Sequence, residues 1–349
     1  LLRKTSFLIL KVIWSFFWRI SFIIFIGISI TVSYYYLGLK EFDNLLDERS
    51  RGSVTLQNNA GEFFAWRGDN FSENLTSNNI SPHLKNAVLA TEDRRFYEHF
   101  GISPRGIASA VYINLKEGRG PLSGHGGSTI TQQTAKLVCL GKTFRQSEWE
   151  SEKAYEASCR KSTVWRKLKE ALYALSLEFK FSKDEILTIY INRVFLGAGA
   201  RGFEAAAQRY FAKSAKIVNP SEAAMLAGLL KAPTRYAPTN NLKRAQERAN
   251  LIIGLMESQK FLSISEAKFA RENPAVLSKI AQSRAGGYFT DWVMGIITWP
   301  IGLTSFYFAL LWSHRDDISN PYWRAHQTSQ AAAAAAKFSA CVVLLTAYY

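Results

Sequence analysis

Residues 81–101 read SPHLKNAVLATEDRRFYEHFG, an apolar helical segment that leads directly into two adjacent carboxylates. Ser81 and Pro82 are typical of a helix start, and Glu92 and Asp93 come where the apolar stripe ends. The stripe consists of Leu84, Ala87, Val88 and Thr91. This spacing predicts a helix packed on a core. Carboxylates at a helix end are also common on solvated surfaces, so their role depends on the rest of the chain.

Further helix signals follow and predict a mainly α domain over residues 75–285. Capping boxes begin helices at Ser182–Glu185 and Asn219–Glu222, and residues 241–261 and 265–272 supply two more helical segments. Another one-sided helix has its apolar stripe at Leu168, Leu172, Leu175 and Phe179.

The composition bounds the class of protein. The chain has 349 residues, 48% hydrophobic and 20% charged, which excludes a disordered chain. Its net charge of +15 suits an anionic partner: nucleic acid, acidic lipid or a phosphorylated substrate. Three cysteines without a Cys/His cluster exclude a disulfide scaffold and a structural zinc site, so a metal could bind only through carboxylates.

Residues 20–37 (ISFIIFIGISITVSYYYL) are uncharged and predict a transmembrane anchor. As a helix they rise about 27 Å, close to the thickness of a hydrocarbon core. The basic segment 1–19 precedes them and acidic residues follow, so the N-terminus is expected in the cytoplasm and the rest outside. The long apolar run without an A-x-A-like site favours an uncleaved anchor over a signal peptide.

An external location has two consequences. Nucleic acid becomes an unlikely ligand, and a lipid-linked anion is favoured. Cys139 and Cys159 would meet an oxidising compartment, so we hypothesise a bridge that closes a loop of about 20 residues and contributes around 3 kcal/mol. Between anchor and domain, residues 38–74 form a juxtamembrane segment with a small hairpin predicted in Ser53–Arg67.

Two further stretches carry groups suited to an anion. Residues 121–136 (PLSGHGGSTITQQTAK) join a glycine-rich turn to Ser, Thr and Gln donors and a lysine, as in an anion-binding helix start, without P-loop spacing. In residues 166–170 (RKLKE), Arg166, Lys167 and Glu170 share one helix face. Taken alone, ordinary helical ion pairs would explain that face.

The ordered series resembles the family-51 glycosyltransferases, the peptidoglycan-polymerising domain of class A penicillin-binding proteins. The resemblance extends over roughly residues 50–285. The segments that match its five motifs, in order, are 92–101, 126–133, 166–170, 186–192 and 223–233.

This resemblance implies a mainly α, lysozyme-like glycosyltransferase domain behind an N-terminal transmembrane helix. It implies that the chain polymerises lipid II into β-1,4 glycan strands by inverting transfer, with undecaprenyl pyrophosphate leaving. Glu92 would be the general base for the acceptor's sugar 4-hydroxyl, and Glu170 the second essential carboxylate. The neighbouring Asp93 could hold the pKa of Glu92 up.

The resemblance also implies binding residues. Those for the donor's diphosphate are Lys136, Arg166 and Lys167, and those for sugar or phosphate oxygens are Ser128, Thr129, Gln132 and Gln133. Asp93 is a candidate contact for Mg²⁺ or another divalent cation, and no other cofactor is expected. His99 is assigned a structural role, and residues 141–158 are predicted to form a mobile lid over the donor site.

The expected partners are lipid II, the growing lipid-linked glycan strand, the bacterial cytoplasmic (inner) membrane and a separate transpeptidase, but no nucleic acid. The expected location is single-pass in that membrane, with the catalytic domain on the periplasmic or outer side. Bifunctional relatives continue into a transpeptidase domain with Ser-x-x-Lys and a later Lys-Thr-Gly. Residues 158–161 fit the first pattern, but no Lys-[Ser/Thr]-Gly follows, so that domain is expected to be absent.

Two questions stay open at this point. The atypical tail, residues 286–349, has either a second membrane helix at 293–312, interrupted by Pro300, or out-of-frame sequence, which we favour narrowly because turn and capping signals are missing. For function, the alternatives are a lysozyme-like glycan hydrolase and a non-catalytic scaffold that binds lipid II.

Overall fold

The computed structural model describes residues 2–47, 54–57, 63–67, 75–121, 126–142, 144–145, 147–161 and 163–278. Predictions for the tail, residues 286–349 with the proposed helix 293–312, lie outside the described residues. The chain divides into two compact units, one of residues 1–53 and 68–282, the other of residues 54–67 and 283–349.

The first unit is helical, which confirms the mainly α prediction. Its helices are α1 (Leu2–Gly38), α2 (Phe42–Asp47), α3 (Pro82–Glu92), α4 (Pro104–Lys116), α5 (Ile130–Leu137), α6 (Glu152–Arg160), α7 (Val164–Lys180), α8 (Lys183–Arg193), α9 (Phe203–Phe211), α10 (Pro220–Gly228), α11 (Pro233–Tyr236), α12 (Leu242–Ser258) and α13 (Ile264–Glu272). Short 3₁₀ turns occupy Cys139–Gly141 and Leu229–Lys231.

The described part of the second unit is a pair of antiparallel strands. Strand β1 (Val54–Gln57) pairs with β2 (Phe63–Arg67), with Val54 opposite Arg67 and an irregularity between Leu56 and Gln57. The hairpin lies in the segment where the sequence predicts one.

Helix α1 carries the apolar N-terminal stretch. Within the described part of the chain, Trp14–Gly38 is the one stretch long and apolar enough to cross a membrane, and most of its side chains are exposed. It begins six residues before the predicted anchor at residue 20, so Arg19 lies inside it. A single charge in a long apolar run does not break the helix.

The C-terminal third of α1 packs on α7. The Ser176 hydroxyl donates to the Val32 carbonyl at 3.0 Å, and Lys180 Nζ donates to the Leu39 carbonyl at 2.7 Å. The rings of Tyr35 and Tyr173 meet edge to face, 5.3 Å between centroids. The apolar helix is therefore joined to the domain by specific contacts at its C-terminal end.

The core forms where α3 packs against α10 and α12, and where α5 packs against α7 and α8. Leu84, Ala87 and Val88 are fully buried, as the predicted stripe of α3 requires. Thr91 lies partly exposed, and its hydroxyl donates to the Ala87 carbonyl at 2.7 Å. The capping boxes predicted at Ser182–Glu185 and Asn219–Glu222 are both present.

The helix predicted over the stripe Leu168–Phe179 is present as α7, but the stripe does not face the core. Leu168 and Phe179 are 49% and 63% exposed, and the ring of Phe179 lies 4.9 Å from that of Phe100. The side chains that α7 buries are Glu170, Tyr173, Ala174, Ser176 and Leu177. This mixed polar and apolar face is the one that packs against α1 and α5, so the apolar stripe points outward.

Candidate active site

The first acidic motif lies at the end of α3. Glu92 is the last residue of the helix, and Asp93 follows as its C-cap. The chain then turns back to Gly101, whose φ of +73° and close approach to the Ala174 carbonyl leave little room for a side chain. The Gly101 carbonyl accepts a hydrogen bond from the Thr129 hydroxyl at 2.6 Å. This turn brings the acidic motif to the start of α5.

Asp93 connects two of the motifs. Its Oδ2 lies 2.8 Å from His99 Nε2 and accepts from the Ile130 backbone N–H at 3.1 Å. The Asp93 and His99 side chains are 7% and 9% exposed. A carboxylate at the first turn of α5 also suits the partial positive charge of a helix N-terminus. Both contacts give Asp93 a structural role in this arrangement, which the sequence did not predict.

The start of α5 is fixed by its own side chains. Thr129 and Gln132 form a capping box, in which the Thr129 hydroxyl accepts from the Gln132 backbone N–H at 3.1 Å and the side-chain oxygen Oε1 of Gln132 accepts from the Thr129 backbone N–H at 3.0 Å. These two predicted binding residues therefore hold the backbone of the helix start. Their contact with substrate stays a prediction.

Glu92 faces α5 through Gln133. The Gln133 Nε2 donates to Glu92 Oε2 at 2.7 Å, and the side-chain Oε1 of Gln133 accepts from the Tyr190 hydroxyl at 3.2 Å. Tyr190, on α8, is 1% exposed. Gln133 is thereby held in the orientation that presents a donor to the carboxylate.

The environment raises the pKa of Glu92 above its ordinary value. Burial is the largest cause, and the charge of Asp93 adds to it. The Gln133 hydrogen bond and the charge of Arg248 act in the opposite direction. A raised pKa suits a group that must accept a proton near neutral pH. Arg248, from α12, was not identified from the sequence because it lies 156 positions after Glu92 and belongs to none of the quoted motifs.

Cations gather at the start of α7. The Arg166 guanidinium pairs with Glu170 Oε1, and Lys167 Nζ lies 3.4 Å from Glu170 Oε2. Lys167 Nζ also donates to the Ser128 hydroxyl at 2.9 Å. Glu170 is 2% exposed, whereas the Lys167 side chain is 51% exposed. The buried carboxylate thus orients two cations, one of which reaches towards solvent and the glycine-rich turn.

The short helix α5, with the two residues before it, connects these groups. Gln133 contacts Glu92, and Ser128 contacts Lys167, which pairs with Glu170. Lys136 lies in the last turn of the same helix and is partly exposed. Glu92 of the first motif and Lys167 of the third therefore contact side chains of the second motif, which lie in α5 or just before it.

The side chains around Asp93 do not fit a divalent cation. Its Oδ2 already faces an imidazole nitrogen and a backbone N–H, whereas Mg²⁺ prefers several oxygen ligands. Glu170 is paired with Arg166 and Lys167. Among the residues that the structure describes, no group of three or more His, Cys, Asp or Glu could hold a metal ion.

The predicted lid, residues 141–158, includes most of α6. The hypothesised bridge is confirmed: Cys139 and Cys159 form a disulfide with 5.3 Å between their Cα atoms. The Tyr155 hydroxyl donates to the Lys142 carbonyl at 2.6 Å. The predicted mobility of the lid stays a prediction, but the segment has defined attachments.

The chain is similar in sequence to known proteins. A family model described as "Transglycosylase" matches residues 60–257. Penicillin-binding protein 1A of Aquifex aeolicus is 38% identical over 218 residues, and penicillin-binding protein 1A of Haemophilus influenzae is 40% identical over 199. Penicillin-binding protein 1B of Vibrio cholerae is 38% identical over 212 residues.

The fold and the site define a helical domain in which a partly buried glutamate at the end of α3 and a cation cluster on α7 contact residues in or just before the same helix, α5. The family match covers more than half of the chain, and the chain belongs to the transglycosylase family. The three alignments cover 62%, 57% and 59% of this chain, in the order named, but only 27%, 21% and 25% of those relatives. The chain thus spans about a quarter of the length of the curated relatives that it matches.

Proposed function

We propose that this chain is a peptidoglycan glycosyltransferase that joins lipid II units into β-1,4 glycan strands and releases undecaprenyl pyrophosphate. One observation carries the proposal: Gln133 of α5 contacts a glutamate suited to accept a proton, and Ser128, just before α5, contacts Lys167, one of two cations that share Glu170 and are suited to a diphosphate. Family membership and the names of the relatives support the same activity.

Glu92 acts as the general base in this proposal. Its carboxylate removes the proton of the acceptor's sugar 4-hydroxyl while that oxygen attacks the donor's anomeric carbon. The Gln133 donor at 2.7 Å fixes the carboxylate for this transfer. Base catalysis of this kind contributes about 10²–10⁴ in rate. Attack opposite the leaving group inverts an α-linked diphosphate to a β linkage.

The cations act on the leaving group. As the bond between the anomeric carbon and the diphosphate oxygen breaks, its electron pair leaves on the diphosphate, and the negative charge there increases. Arg166, Lys167 and Lys136 stabilise this charge, while Glu170 keeps the first two oriented. Ser128, bound to Lys167, lies at the same end of α5.

The membrane places enzyme and substrate together. We propose that α1 spans the bacterial cytoplasmic membrane once, with its basic N-terminus in the cytoplasm and the catalytic domain outside. The exposed Leu168 and Phe179 lie on α7, the helix that packs against α1. An apolar face beside the anchor suits a substrate whose lipid stays in the bilayer. A separate transpeptidase would supply cross-links.

Purified full chain incubated with labelled lipid II tests the proposal against its two rivals. Polymer formed by wild type but not by Glu92→Gln supports it. Cleavage of finished glycan without polymerisation would instead indicate a hydrolase. Binding without any turnover would indicate a scaffold. The cation cluster argues against hydrolysis, since a neutral glycosidic bond has no diphosphate to release.

Lys167→Met tests the leaving-group role separately. It keeps the aliphatic stem but removes the charge that lies 3.4 Å from Glu170. We expect slower polymerisation while Glu92 and its contacts stay intact. Lys169→Met, on the same helix and exposed, is the matched control and should polymerise at the wild-type rate.

A further inference from the structure

The Cys139–Cys159 disulfide lies between the two helices that carry the site. Cys139 comes two residues after the end of α5, and Cys159 lies in the last turn of α6, just before α7 begins. The bridge spans 20 positions of sequence. It therefore fixes the C-terminal end of α5 to the segment that leads into α7.

Arg166 is bound to the backbone of that segment. Its Nη1 donates to the Cys159 carbonyl at 2.9 Å, and its Nε donates to the Lys161 carbonyl. The same Nη1 donates to Glu170. A guanidinium is planar and rigid, so anchoring Nε and Nη1 also fixes the direction of Nη2. The position of the Cys159 carbonyl thus sets the direction in which Arg166 presents its remaining nitrogen.

Other contacts hold the middle of the segment. The Tyr155 hydroxyl donates to the Lys142 carbonyl, and Arg201 Nη2 pairs with both carboxylate oxygens of Glu156 at 2.8 Å. These contacts lie three and four residues before Cys159, whereas the disulfide acts at the residue whose carbonyl Arg166 uses. The bridge and the Glu156 pair can therefore be tested separately.

We propose that the Cys139–Cys159 bridge is a positioning element, which holds the Cys159 carbonyl where it orients Arg166 towards the diphosphate of the substrate. The ligand class, a diphosphate, rests on the proposed function, but the coupling between bridge and Arg166 can be measured without turnover. Opening the bridge loosens Arg166 and weakens the binding of a diphosphate.

The test measures binding of inorganic pyrophosphate to the full chain in detergent by titration calorimetry. We expect the Cys139→Ser/Cys159→Ser variant to bind about tenfold more weakly, the loss of one well-oriented charge-assisted contact. Arg166→Ala should also bind more weakly, and removing the bridge in that background should change binding no further. Glu156→Gln, which loosens α6 but keeps the bridge, should bind like wild type.

If the double-serine variant does not fold, chemical reduction of the disulfide in the wild type provides the test instead. Dithiothreitol converts the protein disulfide to two thiols and itself becomes a cyclic disulfide. Pyrophosphate binding should weaken on reduction and return once dithiothreitol is removed and oxidised glutathione re-forms the disulfide, itself becoming two thiols, while thermal unfolding confirms that the domain stays folded. If the bridge were merely structural, its removal would weaken pyrophosphate binding by the same factor with and without Arg166. That additive result would overturn the proposal.

The outcomes distinguish this inference from the proposed function. If lipid II is not polymerised but pyrophosphate binding depends on both the bridge and Arg166, the function fails and the positioning role stands. If lipid II is polymerised but bridge opening leaves pyrophosphate binding unchanged, the positioning role fails alone. Absence of pyrophosphate binding by the wild type also overturns it.

Discussion

Replacing Gln133 by alanine tests how the site controls Glu92. The change removes the donor that lies 2.7 Å from Glu92 Oε2 and the acceptor of the Tyr190 hydroxyl. The Gln133 hydrogen bond lowers the pKa of Glu92, against the larger effect of burial. Without it the pKa of Glu92 rises further, so at a given pH a smaller fraction of the enzyme carries an ionised base.

The size of the effect follows from the contact. A hydrogen bond to a charged group contributes about 1.5–3 kcal/mol. Since 1.36 kcal/mol corresponds to a factor of ten, the balance between ionised and neutral Glu92 changes by about ten- to a hundredfold. We expect polymerisation at mildly acidic pH to fall by about that factor, and the loss to shrink as the pH rises.

The assay is the initial rate of lipid II polymerisation, measured from mildly acidic to alkaline pH. Tyr190→Phe is the graded control, because it removes only the contact that orients Gln133 and should shift the acidic limb less. A uniform loss of rate at every pH, with the acidic limb unmoved, would refute this account of Gln133.

Three further predictions are measured by the rate of polymerisation or by thermal melting. Arg248→Met removes a charge that lowers the pKa of Glu92, so the acidic limb of the pH–rate profile should move to higher pH; an unmoved limb would contradict this. At alkaline pH the free energy of unfolding of Glu92→Gln, measured by thermal melting, should exceed that of wild type by about 0.5–2 kcal/mol. Equal melting temperatures would argue against a buried charge. Gly127→Ala should lower the free energy of unfolding by about 1–3 kcal/mol and slow polymerisation, because a Cβ there would meet the Ile107 Cα at 2.7 Å. An unchanged melting temperature would show that the loop adapts and would contradict this prediction.

The sign of the Glu92 prediction follows from proton linkage. Because burial raises the pKa of Glu92 in the fold, the folded chain binds more protons than the unfolded chain between the ordinary and the raised value. Stability therefore falls as the pH rises through that window. Glutamine has no proton to lose, so the variant avoids this cost.

Local sequence signals predicted much of the helical fold. The capping boxes at Ser182–Glu185 and Asn219–Glu222 are contacts between residues three apart, so the sequence alone determines them. The face of α7 could not be predicted in this way. Its outward apolar stripe and inward Glu170 depend on where α1 and α5 pack, which no local pattern records.

The candidate site was predicted as a set of residues but not as a set of contacts. The resemblance named Glu92, Asp93 and Gln133, yet the hydrogen bond from Ile130 to Asp93 joins positions 37 apart and appears only in the fold. Arg248 was missed because its influence on Glu92 crosses 156 positions. The described contacts thus distinguish the residues that hold the start of α5 from those proposed to contact the reacting groups.

The most direct test of the central claim is the single-turnover rate of lipid II polymerisation by wild type and by Glu92→Gln, at equal occupancy with substrate. The account predicts that the variant binds lipid II but reacts about 10²–10⁴ times more slowly, since it has lost only the base. A variant that polymerises within a few-fold of the wild-type rate would contradict the assignment of Glu92, and with it the proposed mechanism.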